Sequence, residues 1–384
     1  MKAPAKSRES SSRASSTRAD RPAPQAPLPG TEDEIFAQLA EYEHEQVSFS
    51  YEPSSGYRGI IAIHDTTLGP ALGGTRFWSY RSDREALTDV LRLSRGMTYK
   101  AAVAGLNLGG GKAVIIGDNK TTRREPIFRA HGRHIQTLGG RYVTAEDVGT
   151  SPGDMEFVRA ETEHVVGLIG KSGDPSPVTA YGVYRGIKAC AKIGFGSDSL
   201  SGKTVAVQGV GHVGYHLCEL LHKEGAKLIV TDIDPAKVKR VVEEFRAQAV
   251  APEEIYGVAA DIFAPCALGG IINDDTLKVL RASIVAGGAN NQLAEERHGD
   301  ALEARGIVYA PDYVINGAGL INVNAELNGW APERARNKAG EIYDTILRVF
   351  EIAREEGITS YKAADRLAEQ RIAAIAKVRT NFVV

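Results

Sequence analysis

From residue 83 onward, apolar side chains fall at Leu87, Val90, Leu91 and Met97, with the small Ser94 between them. Spacing by threes and fours predicts an amphipathic helix, and Lys100 sits toward its end. Before it, Ile60–His64 reads as a Gly-bounded strand followed by a turn-rich loop. After it, "KAVIIG" (residues 112–117) reads as a buried strand fed by a loop of three glycines. "EPIFRAHGRHIQTLG" reads as a helix, and "RYVTAEDVG" as a strand whose exit carries Glu146 and Asp147. Further upstream, "TEDEIFAQLAEYEHEQ" opens a helix in which Thr31 is an N-cap and Glu34, three residues on, completes a capping box.

The pattern restarts near Pro175. "PVTAYGVYRGIKACAKIG" is helical; then come a strand at Thr204–Gln208, a glycine turn, a helix from about Val213 to Glu224 and a strand at Lys227–Thr231. Ala368, Ile372 and Ile375 give a last helix one apolar face. No repeat of solenoid length interrupts this order. The chain therefore reads as two α/β units with a cleft between them.

Composition narrows the partners. Of 384 residues, 43% are apolar and 24% charged, and the net charge of −2 offers nucleic acid or an anionic membrane no basic surface. No apolar run reaches the roughly 18 residues that span a bilayer. Cys190, Cys218 and Cys266 lie far apart, without CxxC spacing, and read as small hydrophobes in a reducing, cytoplasmic compartment. The first thirty residues are rich in Ser, Arg, Ala and Pro and cannot bury enough surface to offset chain entropy, so residues 1–32 are expected to form a disordered tail.

The second half holds the most readable motif, Gly209-x-Gly211-x-x-Gly214, between a strand and a helix. Gly209 makes the tight turn, Gly211 lets backbone amides approach a pyrophosphate, and Gly214 allows close helix–strand packing. Asp232, ending the next strand, would accept hydrogen bonds from the adenosine ribose and repel a 2′-phosphate, with Asp234 adding a second negative charge. NAD rather than NADP is expected. The other glycine-rich segment, "GLNLGGGKAVIIGD", is not a phosphate loop. Ala113 follows Lys112 where a hydroxyl is needed, Gly105 is one position too far from Gly111, and a strand rather than a helix follows. What remains is a lysine among residues without side chains, easily desolvated and so able to act as a base, its glycines clearing space for a small substrate.

"GPALGGTRFW", "RGMTYKAAVAGLNLGGGKAVIIGD", "RYVTAEDVGTSPGDM", "PSPVTAYGVYRGIKA", "AGGANNQL" and "PDYVINGAGLINVNAEL" occur in this order. Together they resemble the Glu/Leu/Phe/Val dehydrogenase family from about residue 33 to the C-terminus, with the leucine-acting branch nearest in pattern. The resemblance implies NAD-dependent, reversible oxidative deamination of an L-amino acid to a 2-oxo acid and ammonia. It implies a substrate domain over 33–172, joined by a C-terminal helix at about 358–384, and a Rossmann domain over 173–357. It also implies homo-oligomers, often octamers.

Carried over by motif, Lys112 would be the catalytic base, Lys100 would bind the substrate carboxylate, and Asp147 would move protons and hold the amino group. Thr179 would contact the nicotinamide amide, and Asn290 would lie near cofactor and substrate. The loop Gly209, Val210, Gly211, His212, Val213 and Gly214, with Asp232, would hold the dinucleotide. No metal is implied. The substrate side chain would meet Leu72, Met97, Ala145, Leu320 and Val323 beside Gly73 and Gly74. Glutamate-acting relatives carry a lysine at the position of Leu72; here a distal carboxylate would be buried unpaired, which disfavours glutamate and favours an apolar side chain. Ala145 fits a leucine-type pocket and Leu320 a phenylalanine-type one, so branched-chain substrates are expected, with phenylalanine or valine as the alternative.

Three smaller readings complete the picture. His131 and His134 lack a third ligand nearby and read as a solvated helix face. His212 reads as a tolerant position within the loop. A non-catalytic NAD-binding regulator is disfavoured because Lys100, Lys112 and Asp147 are all present.

Overall fold

The computed structural model describes residues 35–170 and 174–378. The expected tail, the Thr31 cap, the boundary near 172 and the last residues of the C-terminal helix lie outside them. The first half runs α1 (Ile35–Tyr42), β1 (Gln46–Glu52), β2 (Tyr57–Asp65), β3 (Ala71–Trp78), α2 (Asp83–Val103), β4 (Gly109–Ile116), α3 (Arg124–Gln136), β5 (Tyr142–Glu146) and α4 (Pro152–Arg159). Its five strands form one mixed sheet in the order β1-β2-β4-β3-β5. The side β1-β2-β4 is antiparallel, while β3 runs parallel to both β4 and β5.

Strand β2 is apolar at consecutive positions because both faces of this sheet are covered. Ile61 and Ile63 join a core with Phe128 and Ile135 of α3, whereas Ile60 and Ala62 face Leu87, Val90 and Leu91 of α2. Ser82 caps α2, its hydroxyl accepting the Glu85 N–H, and Asp83 and Glu85 place negative charge in the first turn.

The second half runs α5 (Ser176–Phe195), β6 (Thr204–Gln208), α6 (His212–Lys223), β7 (Lys227–Thr231), α7 (Pro235–Phe245), β8 (Gln248–Ala249), β9 (Ile262–Pro265), α8 (Asp274–Val279), β10 (Ile284–Val285), α9 (Arg297–Ala304) and β11 (Val308–Tyr309). Helices α10 (Asp312–Ile315), α11 (Ala318–Leu327), α12 (Pro332–Gly340), α13 (Ile342–Glu356) and α14 (Ser360–Ala376) follow. The second sheet is wholly parallel, in the order β11-β10-β9-β6-β7-β8. Strand order reverses between β6 and β9, and a crevice at such a switch point is where doubly wound sheets take their ligands. Helix α14 turns back to pack on α2 and α13. Arg371 on α14 donates to the carbonyls of Ala101, Ala102 and Leu106, fastening the C-terminal end of α2 one residue beyond Lys100. Among the described residues no helix is long and apolar enough to cross a membrane.

Three expectations need correction. Gly109–Gly111 is not a loop: β4 begins at Gly109 and is buried throughout. Gly110 pairs with Leu72 on one side and Asp65 on the other. His131 and His134 are not solvated; both are buried, because α3 packs on the sheet through Ile127, Phe128, His131, His134 and Ile135. Their rings are satisfied by the sheet: the Tyr57 hydroxyl lies 2.8 Å from His131 Nδ1, the Thr75 hydroxyl 2.7 Å from His131 Nε2, and Ser48 Oγ 2.8 Å from His134 Nε2. Burial pushes the His131 pKa down to about 3 and that of His134 to about 4, so both rings are neutral at pH 7. Last, Ile375 is exposed, and the buried face of α14 rests instead on Ala363, Ala364, Ala368 and Ile372.

Candidate active site

Sheet order brings the charged groups together. Lys112 leaves β4 and Asp147 follows β5, yet β3 lies between those strands. Lys112 Nζ nevertheless stands 2.9 Å from Asp147 Oδ2, so its side chain crosses β3. Beneath that crossing β3 carries glycine at 73 and 74. A Cβ on Gly74 would lie 2.5 Å from the Glu146 carbonyl and 2.8 Å from Asp147 Cβ, and one on Gly73 would strike the Gly111 carbonyl. These two glycines are therefore required by the strands on either side before any ligand is considered.

The glycines of β4 have protein neighbours too. A Cβ on Gly110 would collide with the backbone of Thr98 on α2, and one on Gly111 would lie 2.6 Å from the Tyr142 ring. Gly110 seats α2 against the sheet, and so sets the height of Lys100 above Lys112, while Gly111 admits the Tyr142 ring; neither clears room for a substrate.

Lys112 is 6% exposed. Burial lowers its pKa, and Asp147 only partly opposes this. For Asp147, burial pushes upward, but Lys112 and then Arg76 outweigh it and hold the carboxyl below the usual carboxylate range. Lys100, in the last turn of α2, is brought down to about 8 by burial, against the pull of Asp312 and with a further push from Lys112. Two buried lysines with lowered affinity for protons thus act on each other beside one carboxylate, which is the perturbation expected where acid–base chemistry is done. The neighbouring apolar residues belong to a single cluster: Leu72, Ala145 and Leu320 are buried in it, and Met97 and Val323 pack against it.

The second sheet contributes the other wall. Gly209, at φ +88°, would put a Cβ 2.6 Å from Ala267, and a Cβ on Gly214 would strike the Gly209 carbonyl. Around Gly211 there is open space instead, at the N-cap of α6, where free amides point outward. Asp232 braces this loop: its carboxylate accepts the Val210 N–H at 2.8 Å and the Asp234 N–H at 2.9 Å. Val213 packs against the main core, while the His212 side chain is exposed, 3.6 Å from Asp174. An open cradle at Gly211, helix amides behind it and a carboxylate ending the next strand fit a dinucleotide.

Thr179 on α5 faces α11, where a Cβ on Gly319 would stand 3.2 Å from its hydroxyl. Asn290 Oδ1 accepts from Asn316 Nδ2 at 2.8 Å, and Asn316 Oδ1 is buried with no protein hydrogen-bond partner. Among the described residues no group of three His, Cys, Asp or Glu is placed to hold a metal ion.

Sequence reasoning passed over Arg76, Asp312 and Asn316. Arg76 stands in "GPALGGTRFW", where the glycines drew the attention. A register that pairs Thr75 with Glu146 puts Arg76 level with Asp147, a fact of sheet order that no local spacing carries.

Comparison with known proteins agrees with this geometry. The model for "Glu/Leu/Phe/Val dehydrogenase, dimerisation domain" matches residues 43–164, and that for "Glutamate/Leucine/Phenylalanine/Valine dehydrogenase" matches residues 170–236 and 230–380. Leucine dehydrogenase of Geobacillus stearothermophilus is 62% identical over 353 residues, covering 91% of this chain and 96% of the relative. L-tryptophan dehydrogenase of Nostoc punctiforme is 50% identical over 339 residues, covering 88% and 96%. The crystal structure of the Nostoc punctiforme tryptophan dehydrogenase superposes with a TM-score of 0.81 at 48% identity, covering 89% of this chain and 99% of that one. With family matches across both sheets and 62% identity along nine-tenths of its length, the chain belongs to the Glu/Leu/Phe/Val dehydrogenase family.

Proposed function

We propose that the protein deaminates apolar L-amino acids oxidatively and reversibly, with branched-chain side chains preferred and NAD as acceptor. A dehydrogenase of this family works with a nicotinamide cofactor. The observation that carries the reading is the buried contact of Lys112 Nζ with Asp147 Oδ2 at 2.9 Å, beside a second lysine and an apolar cluster. High identity to leucine dehydrogenases, against lower identity to a tryptophan-acting relative, supports the branched-chain choice. Buried Leu72 supports it as well, since a distal carboxylate would lose its hydration there with no cation in exchange.

The roles follow from charge. Lys100 keeps its proton and pairs with the substrate carboxylate, which fixes Cα within the cleft. Asp147, held ionised with Arg76 beside it, accepts hydrogen bonds from the substrate ammonium and takes one proton from it before the hydride leaves. A bound nicotinamide ring would take up the hydride released from Cα. Lys112, whose hold on its proton burial weakens, removes a proton from the water that adds to the resulting imino carbon, and Asp147 returns to the departing ammonia the proton it took from the substrate ammonium. Walls of Leu72, Met97, Ala145, Leu320 and Val323 exclude bulk water while this happens.

The two carboxylate oxygens of Asp232 support NAD over its 2′-phosphorylated form, because a phosphate there would meet negative charge. We assign the substrate domain to the first sheet with α14, and the dinucleotide domain to the second sheet. A homo-oligomer in the cytoplasm is part of the same reading, supported by the exposed Phe36, Phe49 and Tyr51 on α1 and β1. Mass by light scattering checks the assembly.

Reduction of NAD with L-leucine, L-valine and L-phenylalanine tests the enzyme reading, with Lys112→Ala alongside. Turnover in the wild type and a loss of about a thousandfold in the variant, with cofactor affinity kept, is the expected result. Absence of turnover with every apolar L-amino acid would overturn the reading, and faster turnover with NADP would overturn the cofactor choice.

A further inference from the structure

Asp147 has a second cation. Arg76 Nε lies 3.2 Å from the same Oδ2 that Lys112 touches, and its Nη1 reaches Asp89 on α2 at 2.8 Å. Asp89 is itself pinned: the Tyr80 hydroxyl donates to its Oδ2 at 2.7 Å, and Arg92 Nη2 reaches its Oδ1 at 3.1 Å. A line of alternating charge therefore runs Arg92, Asp89, Arg76, Asp147, Lys112, from solvent to the buried amine. The guanidinium of Arg76 is about one-fifth exposed, so its pairs are screened far less than surface ones. Its fork spans two carboxylates on different elements, which an ammonium on a flexible stem cannot do.

We propose that Arg76 is a positioning residue for the deamination: its guanidinium fixes the Asp147 carboxylate against Lys112 and keeps the pair's proton balance in favour of a free amine. The proposal rests on the amino-acid dehydrogenase reading. Two placements argue for it. First, Arg76 and Lys112 meet one oxygen of Asp147, so the carboxylate cannot rotate away from the amine without losing both contacts. Second, a fixed cation near Lys112 opposes a further proton on that amine while stabilising the anion between them.

The charged groups facing Lys112 are Asp147 beyond β5, Arg76 on β3, Asp89 and Lys100 on α2, with Asp312 on α10 acting on it through Lys100. Asp147 and Asp89 favour the protonated amine; Arg76 and Lys100 oppose it. Arg76 thus cancels part of the very field that Asp147 would otherwise impose on the base. An Asp147–Lys112 pair without it would hold its proton more tightly, as a simple salt bridge does.

The test is the pH profile of kcat for leucine oxidation in wild type, Arg76→Gln and Arg76→Lys. Arg76→Gln is expected to move the acid limb upward by ~1 pH unit and to lower kcat at neutral pH by about tenfold, with the cofactor KM unchanged. Arg76→Lys keeps the charge and loses one prong, so its limb stays near the wild-type position while kcat falls several-fold. An Arg76→Gln limb within about 0.3 unit of wild type overturns the proposal, whatever happens to kcat. Should Arg76→Gln not fold, Arg76→Lys with wild-type kcat overturns the two-pronged hold, and a reduced kcat at an unmoved limb supports it.

A readout independent of turnover separates this proposal from the enzyme reading. Competitive acetylation by acetic anhydride, followed by peptide mass spectrometry, reports the pH at which Lys112 becomes nucleophilic. That pH should be higher in Arg76→Gln than in wild type. An unaltered value with active wild type sinks only the role of Arg76, whereas inactive wild type sinks the dehydrogenase reading alone.

Discussion

Two glycine-rich segments, Gly109–Gly111 in β4 and Gly209–Gly214 after β6, use the same residue for opposite ends. In β4 the place of every missing side chain is taken by protein: the Asp65 carbonyl at Gly109, Thr98 at Gly110, the Tyr142 ring at Gly111. After β6 only the outer two glycines are filled in this way, and Gly211 faces open space. The first set is a packing device, in which Gly110 lets α2 down onto the sheet while Gly109 and Gly111 admit the Asp65 carbonyl and the Tyr142 ring; in the second, Gly211 leaves its amides uncovered. A glycine is informative about function when nothing in the fold accounts for its bareness. Charge divides the segments as well. Lys112, Lys100 and Asp147 crowd the β4 site, whereas the loop after β6 has the exposed His212 and a single braced carboxylate.

The largest expected effect comes from filling a glycine that the fold already uses. Gly110→Ala sets a methyl against the backbone N–H of Thr98 and, 2.5 Å away, the Ser94 carbonyl, and helix backbone cannot step aside as a side chain can. About 3 kcal/mol of stability should be lost, at the top of the usual overpacking range, read as a fall in the denaturant midpoint. A variant as stable as wild type would show that α2 is not seated by Gly110.

The charge difference predicts a pH dependence next in size. Lys100 must be protonated to hold the substrate carboxylate, and burial sets its pKa at about 8 in the free protein. As pH rises through that value the proton leaves, so kcat/KM for the amino acid falls about tenfold per unit above it. A bound carboxylate favours the charged amine, so the basic limb in kcat lies at higher pH than the limb in kcat/KM. On the acid side activity falls as Lys112 gains its proton. Cofactor Kd, governed by the other segment, should change by less than about threefold across the basic limb, and coincident limbs in kcat and kcat/KM would refute the role given to Lys100.

Local pattern accounts for what could be read without coordinates, and sheet order for what could not. The strand Thr204–Gln208, the turn at Gly209, the helix after it and Asp232 just beyond β7 follow from short-range rules, because each is decided within a few residues. The first sheet is less transparent. Its order β1-β2-β4-β3-β5 is set by which faces α2 and α3 cover, and nothing near Lys112 says that β3 separates it from Asp147. The glycines of β4 were mistaken for a loop because their neighbours are distant in sequence. His131 and His134 looked solvated for the same reason, as Tyr57, Thr75 and Ser48, which satisfy their rings, lie 56 to 86 residues away. Arg76 escaped notice because its partners are a strand exit and a helix, Asp147 and Asp89.

Gly211→Ala inverts the first experiment. Its φ of −66° suits an L-residue and its Cβ would meet nothing within 4 Å, so the denaturant midpoint should stay at the wild-type value. The methyl would instead stand where amides are to meet a pyrophosphate, and cofactor KM should rise about tenfold, equivalent to ~1.4 kcal/mol. A loss of stability with unaltered cofactor KM would make Gly211 another packing glycine and erase the contrast with β4.

The smallest effect belongs to the pocket wall. Ala145 pairs with Gly74 on β3 and shares the apolar cluster with Leu72 and Leu320, so its methyl occupies volume that a ring could use. Ala145→Gly removes one methyl, and a group of that size is worth ~1–3 kcal/mol of discrimination. The kcat/KM ratio of phenylalanine to leucine should rise by several-fold, toward the low end of that range, because Leu320 on α11 still bounds the space. Lys112 and Asp147 stay in register, since the backbone of β5 is held by β3 whatever side chain stands at 145, and kcat for leucine should therefore move little. An unchanged ratio would place the selective wall on α11, at Leu320 and Val323, and would make the second half of the chain the arbiter of side chain as well as of cofactor.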